Sequence, residues 1–154
     1  RKGSFNWSRG PRGKVELTVT VPRLVGAELA GAGDVRIDRV SGDRFEANVA
    51  GAGDLRVDQV DVAGLKLSIA GAGNAQLLGG KARAASYDIA GSGKIDAKGV
   101  QAETASVSIA GAGDVEGQAT KTASVSIMGS GDVRLTGGAK CTVSKAGAGN
   151  VHCS

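Results

Sequence analysis

Gly-x-Gly occurs seven times in this sequence, at Gly31-Ala32-Gly33, Gly51-Ala52-Gly53, Gly71-Ala72-Gly73, Gly91-Ser92-Gly93, Gly111-Ala112-Gly113, Gly129-Ser130-Gly131 and Gly147-Ala148-Gly149. The intervals between copies are 20, 20, 20, 20, 18 and 18 residues. A unit of that length cannot bury an apolar face alone, so it must stack on its neighbours. Helical repeats need longer units, and glycine at this interval opposes helix. The leucine-rich repeat has a compatible length, but its Leu-x-x-Leu-x-Leu pattern is absent.

The flanks of each glycine pair alternate with a period of two, which is the mark of a half-buried strand. Two residues before the pairs stand Leu29, Val49, Ile69, Ile89, Ile109 and Ile127, and then Lys145. Four before stand Ala27, Ala47, Leu67, Tyr87, Val107, Val125 and Val143. After the pairs come Val35, Leu55, Ala75, Ile95, Val115, Val133 and Val151 at the first inward position. A third patch, Val40, Val60 and Val100, lies seven residues past the second glycine. Two good strands and a weaker third per unit describe an all-β, single-stranded parallel β-helix of about seven coils, each 18–20 residues long. Left-handed backbone at one repeated corner accounts for the glycine pairs.

Composition agrees. Glycine supplies 26 of 154 residues, and only Phe5, Trp7, Phe45 and Tyr87 are aromatic. A core of Ala and Val needs a narrow lumen. Two prolines and no Gly-X-Y period exclude collagen. Mixed charge and moderate hydropathy argue against disorder, and no run of 18 apolar residues offers a membrane span.

The net charge of +4 is a property of one end. Arg1, Lys2, Arg9, Arg12 and Lys14 carry it, and the remainder is balanced at 14 Lys/Arg against 15 Asp/Glu. Residues 1–14 therefore read as a basic flexible tail, and residues 15–154 as one β-helix domain. The chain starts with Arg, which is expected of a mature or trimmed fragment. Lys14–Val21 alternates cleanly and is expected to begin or cap the first coil, with Pro22 ending it. Lys145, in place of the earlier isoleucines, marks the last coil as a cap against pairing by other chains.

These residues carry a resemblance. The phrase Val-Thr-Val-Pro-Arg-Leu (19–24), the repeated Gly-[Ala/Ser]-Gly-[Asp/Asn]-Val units and the ending from Cys141 to Cys153 resemble the bacterial auto-transporter adhesin family, head GIN domain. The resemblance covers about residues 15–154. It implies a right-handed parallel β-helix on an exported protein of the periplasm, outer membrane or cell exterior, with an adhesion-like role. It brings no catalytic residues.

Read for chemistry, the sequence offers little. The residue after each pair, Asp34, Asp54, Asn74, Lys94, Asp114, Asp132 or Asn150, forms a ladder along one edge. Carboxylates in a row are Ca²⁺ ligands in some solenoids, but Asp and Asn also suit tight corners by bonding nearby backbone N–H groups. Lys94 interrupts the row, and Arg36, Arg56 and Arg134 stand beside it to pair with it. The expectation is a structural ladder and no metal. Outward pairs such as Asp34 with Arg36 recur by unit and do not converge, so no catalytic dyad is assigned. His152 has no second His at metal spacing. No dinucleotide or phosphate-loop motif occurs, so no nucleotide cofactor is expected; the basic tail reads as a solvated end, so no nucleic acid is expected as partner. Asn6-Trp7-Ser8 is a formal glycosylation sequon in the tail.

Cys141 and Cys153 both fall at inward phase on the strands flanking the last glycine pair. They are expected to form a disulfide that staples the terminal coil, and hence to indicate an oxidising compartment. Two buried free thiols are the alternative, which thiol titration of the unfolded, non-reduced chain distinguishes. Ser106, Ser108, Thr120, Thr122, Ser124 and Ser126 face outward as a candidate hydroxyl face. The expected function is a non-enzymatic exported binding module with a surface glycan or cell-surface protein as partner. A self-assembling scaffold is the alternative, and a carbohydrate-active enzyme a weaker third.

Overall fold

The computed structural model describes residues 4–6, 18–21, 26–31 and 34–153. Twelve strands account for nearly all of them. They are β1 (Ser4–Asn6), β2 (Thr18–Val21), β3 (Gly26–Gly31), β4 (Asp34–Gly51), β5 (Asp54–Gly71), β6 (Asn74–Leu77), β7 (Gly80–Gly91), β8 (Lys94–Gly111), β9 (Asp114–Gly129), β10 (Asp132–Thr136), β11 (Lys140–Gly147) and β12 (Asn150–Cys153). All pairings are parallel and join into one sheet that winds into a solenoid. The glycine corners stack from Gly31 through Gly51, Gly71, Gly91, Gly111 and Gly129 to Gly147. Counting glycine pairs predicts about seven coils, whereas the solenoid has about six turns. Seven corner levels enclose only six intervals, and at about 4.8 Å each these make a stack roughly 30 Å long.

Each turn has three walls. In β5 the alternation of buried and exposed residues slips at Asp58-Gln59, at Ala63-Gly64 and again at Ala70-Gly71. Two successive outward residues cannot lie on one flat strand, so each slip is a bend. The first wall buries Leu55 and Val57, the second Val60 and Val62, and the third Leu65, Leu67 and Ile69. Val40, Val60 and Val100, the weak third patch of the sequence, are fully buried. The change from 20 to 18 residues occurs between β8 and β9. Their register skips Lys98–Val100 at one bend and gains a residue at the next. This is why the valine patch stops at Val100.

The lumen is closed by side chains of uneven size. Phe45 and Tyr87 are the largest, both completely buried. Gly117 occupies an inward position, and a Cβ there would meet Leu135 Cδ2 at 3.5 Å and Tyr87 Cε2 at 3.8 Å. A large side chain on the third wall is thus matched by an absent one on the first, which keeps packing dense without bending the walls. No polar or charged residue is buried among those described, but the Tyr87 hydroxyl is enclosed with no hydrogen-bond partner.

The glycine corners have two reasons, not one. In the six pairs from Gly51 onward the first glycine takes positive φ, from +116° at Gly51 to +139° at Gly147. The second does not: Gly53, Gly73, Gly93, Gly113, Gly131 and Gly149 are absent from the left-handed region. They are glycine because the coils touch there. A Cβ on Gly73 would stand 2.5 Å from Gly53 O and 2.8 Å from Val49 Cγ1.

At the chain start, Thr18–Val21 is a strand paired with β4, as the alternation over 14–21 predicts. Within the tail expected over 1–14, Ser4–Asn6 pairs with Gly26–Glu28 of β3. The rest of that tail, including Trp7 and Ser8 of the sequon, lies outside the described residues.

Candidate functional site

The third wall presents the most regular outer surface. One outward row runs Glu46, Lys66, Ser86, Ser106, Ser124, Thr142, and a second runs Asn48, Ser68, Asp88, Ser108, Ser126, Ser144. Neighbouring rungs are about 4.8 Å apart and alternate residues on one strand about 7 Å apart. From Ser86 to the last coil the two rows are hydroxyl-bearing except at Asp88. The hydroxyls of Ser106, Ser108, Ser124 and Ser126 have no protein partner among the described residues, which leaves them to solvent or to a ligand.

A groove of about 580 Å³ runs along this wall across the rungs. Thr104, Ser106, Thr122 and Ser124 line its middle, Arg44, Glu46 and Lys66 one end, and Thr142 the other. Small residues make the depression: Ala84 beside it, and Ala85, Ala105 and Ala123 where the upper coils carry Phe45 and Leu65. The sequence-based hydroxyl set is brought together with one exception. Thr120 lies around the bend, lining a different groove, and its hydroxyl donates to Ala102 O at 3.3 Å. Ser86, Thr104 and Thr142 belong to the face and were not in that set. Thr104 is in register with Thr122, and both stand seven residues before their glycine pairs.

The ladder after the glycine pairs is in register, Asp34 on Asp54 on Asn74 on Lys94 on Asp114 on Asp132 on Asn150. Three of its carboxylates, those of Asp54, Asp114 and Asp132, bond to the protein. Asp54 Oδ1 accepts from Asn74 Nδ2 at 3.1 Å. Asp132 Oδ1 accepts from the Asn150 N–H at 3.1 Å and from Asn150 Nδ2 at 3.3 Å. The Asp132 N–H in turn reaches Asp114 Oδ1 at 3.4 Å. Asp54, Asp114 and Asp132 therefore each tie their rung to the next one.

The neighbouring arginines do not pair with this ladder as expected. Arg36 Nη2 and Arg56 Nε turn instead to Asp58, at 3.3 and 3.6 Å. The bend at Asp58 brings its carboxylate within reach of two arginines that are in register on adjacent rungs. Lys94 pairs with Glu116 at 3.7 Å, and Lys98 reaches Glu116 at 3.6 Å and Asp96 at 3.9 Å. His152 is exposed on β12 under Arg134. Among the described residues no three His, Cys, Asp or Glu side chains converge as a metal site.

Cys141 and Cys153 are joined by a disulfide, with Cα atoms 6.6 Å apart. It links the third wall to the first within the same terminal coil. Every earlier coil continues from its first wall into a second, whereas β12 ends the described chain at Cys153. The disulfide closes the ring at that place. Burial pushes the Tyr87 phenol well above its ordinary range.

The chain matches the model of the family described as "Putative auto-transporter adhesin, head GIN domain" over residues 2–139. It belongs to this family. Solved structures resemble it closely. A "putative adhesin" from Bacteroides fragilis superposes with a TM-score of 0.80 at 26% identity, over 85% of this chain and 61% of that one. A "putative lipid binding protein" from Parabacteroides distasonis gives 0.81 at 29%, over 90% and 55%. A "putative adhesin" from Parabacteroides merdae shares the fold, at 0.78 and 23% over 85% and 64%. The chain spans less than two thirds of the length of each. Among proteins with curated descriptions none matches the sequence. The head GIN family and its neighbours carry the names of binding proteins, not of enzymes, and among the described residues no helix is long and apolar enough to cross a membrane.

Proposed function

We propose that this chain is a non-enzymatic binding module of an exported adhesin, and that it meets a surface glycan along the groove of the third wall. The observation that carries the reading is the two-row hydroxyl lattice with free Ser106, Ser108, Ser124 and Ser126. A flat, rigid array of unpaired hydroxyls offers donors and acceptors at a constant step, as an extended glycan does. Its positions are held by backbone pairing on both sides, so little conformational entropy is lost on binding. Arg44 and Lys66 at one end add a place for a charged substituent. The terminal disulfide supports an oxidising compartment, the periplasm, outer membrane or cell exterior.

A glycan-array screen with the oxidised protein tests this. Retention of one glycan class, lost when Ser106 and Ser124 are both replaced by arginine in a variant of unchanged circular dichroism, is the expected result. No retained glycan, or equal retention by the variant, rejects it. Release of reducing sugar from a retained glycan would move the reading to catalysis.

A further inference from the structure

Methionine occurs once in this chain, at residue 128. It lies near the end of β9 on the outward face, between buried Ile127 and the corner Gly129. The register sets it in a column of alanines, with Ala50, Ala70, Ala90 and Ala110 before it and Ala146 after it. Each of those side chains ends at a methyl group, so the longer thioether stands clear of both neighbouring rungs. Met128 is 65% exposed, against 42% for Leu78 and 45% for Val143, the other large apolar side chains at the surface among the described residues. It takes no part in the cluster that fills the lumen. Alanine serves this corner in the adjacent coils, so the fold does not require a long side chain here. Ser126, two positions earlier on the same face, belongs to the second hydroxyl row. The sulfur therefore borders the hydroxyl face.

Exposure decides what this side chain can undergo. A thioether sulfur is nucleophilic through a lone pair and carries no proton, so access governs its oxidation. The other oxidisable groups among the described residues are protected. The two cysteines are already joined to each other, and Tyr87 is fully buried.

We propose that Met128 is a site of reversible oxidation by peroxides, at which the edge of the hydroxyl face changes from apolar to polar while the stack stays intact. The sulfur lone pair attacks one oxygen of hydrogen peroxide, and the S–O bond forms as the O–O bond breaks. The departing hydroxide takes the proton from the transferred oxygen and leaves as water. Sulfur loses two electrons and the peroxide gains them. In a core, the polar and chiral sulfoxide breaks packing. At residue 128 the new oxygen meets solvent, so no acceptor is buried and no lumen contact is lost. A sulfoxide reductase reverses the step: two thiols are oxidised to a disulfide and the oxygen leaves as water.

The disulfide-bonded full chain is treated with hydrogen peroxide beside N-acetylmethionine amide, and peptide mapping by mass spectrometry follows residue 128. One added oxygen atom is expected there, at a rate within about threefold of the free thioether, with circular dichroism and melting temperature unchanged. A second protein, carrying Ile127→Met and Met128→Leu, moves the sulfur one residue along, to the lumen side of the same strand, where Ile127 is 0% exposed. Its oxidation is expected to be at least about tenfold slower. Reductases for the two sulfoxide epimers are expected to restore the original mass. If the second protein does not fold, the comparison with the free thioether decides. Oxidation of Met128 more than about tenfold slower than the free thioether, or equal rates in the two folded proteins, overturns the proposal. So does a lowered melting temperature after oxidation, or a sulfoxide that the reductases leave in place. The groove reading stands or falls separately, on the glycan array.

Discussion

A Cβ built on Gly73 would stand 2.5 Å from the carbonyl oxygen of Gly53 in the preceding coil. Gly73 has no left-handed backbone, so its lack of a side chain serves contact between coils. Gly73→Ala is therefore expected to destabilise by about 1–3 kcal/mol, the usual cost of overpacking a close contact. Gly117→Ala is the contrasting case. Its nearest contacts would be ordinary, at 3.5 and 3.8 Å, and its neighbour in the same column is Ala97. Reduced freedom of the unfolded chain should make that variant more stable by about 0.5–1 kcal/mol. Chemical denaturation of the two variants checks both signs.

The buried Tyr87 hydroxyl lacks a partner, so Tyr87→Phe removes a desolvated group while keeping the ring. A gain of about 1 kcal/mol is expected. The same residue governs alkaline behaviour. Its pKa is raised in the folded state by desolvation, so the unfolded chain loses the proton first. Stability is then full below about pH 10 and falls as pH rises above it. Tyr87 is the single tyrosine, so tyrosinate absorbance should appear together with unfolding, and Tyr87→Phe should flatten stability over that range.

Reduction of Cys141–Cys153 is expected to act locally. The bond encloses a separation of 12 residues, and loops of that order contribute about 3 kcal/mol in the chain-entropy model. In a stack, each coil contacts only its neighbours. Hydrogen exchange should therefore quicken in β11 and β12 on reduction, with β5 to β8 unchanged. Acceleration throughout the chain would contradict this.

The corner ladder should be indifferent to Ca²⁺. Asp54 and Asp132 already bond to Asn74 and Asn150. Millimolar Ca²⁺ or EDTA is expected to leave the melting temperature in place. Asp132→Ala, by contrast, should cost about 0.5–1.5 kcal/mol through its lost bonds to the Asn150 amide.

Much of the fold was legible because the repeat is written in backbone terms. Period-two alternation and glycine at fixed intervals specify strands, corners and stacking order without knowledge of any distance. The valine patch and the inward phase of Cys141 and Cys153 follow from the same count. The candidate face was only partly legible. Ser106 and Ser124 share a phase that counting back from the glycine pairs finds, as do Thr104 and Thr122, whereas Thr120 turns away because the bends between β8 and β9 drop and add residues.

What the sequence by itself determined is the solenoid: a chain with this period and this shortage of large side chains has no other way to bury its apolar rows. What only the tertiary structure decided are contacts between residues the period does not relate. Arg36 meets Asp58 instead of the neighbouring ladder, and Tyr87 meets Gly117 across the lumen. These depend on how far apart walls and coils lie and on which way each bend aims a side chain. A repeat of residue types carries no such distances; the packed stack sets them.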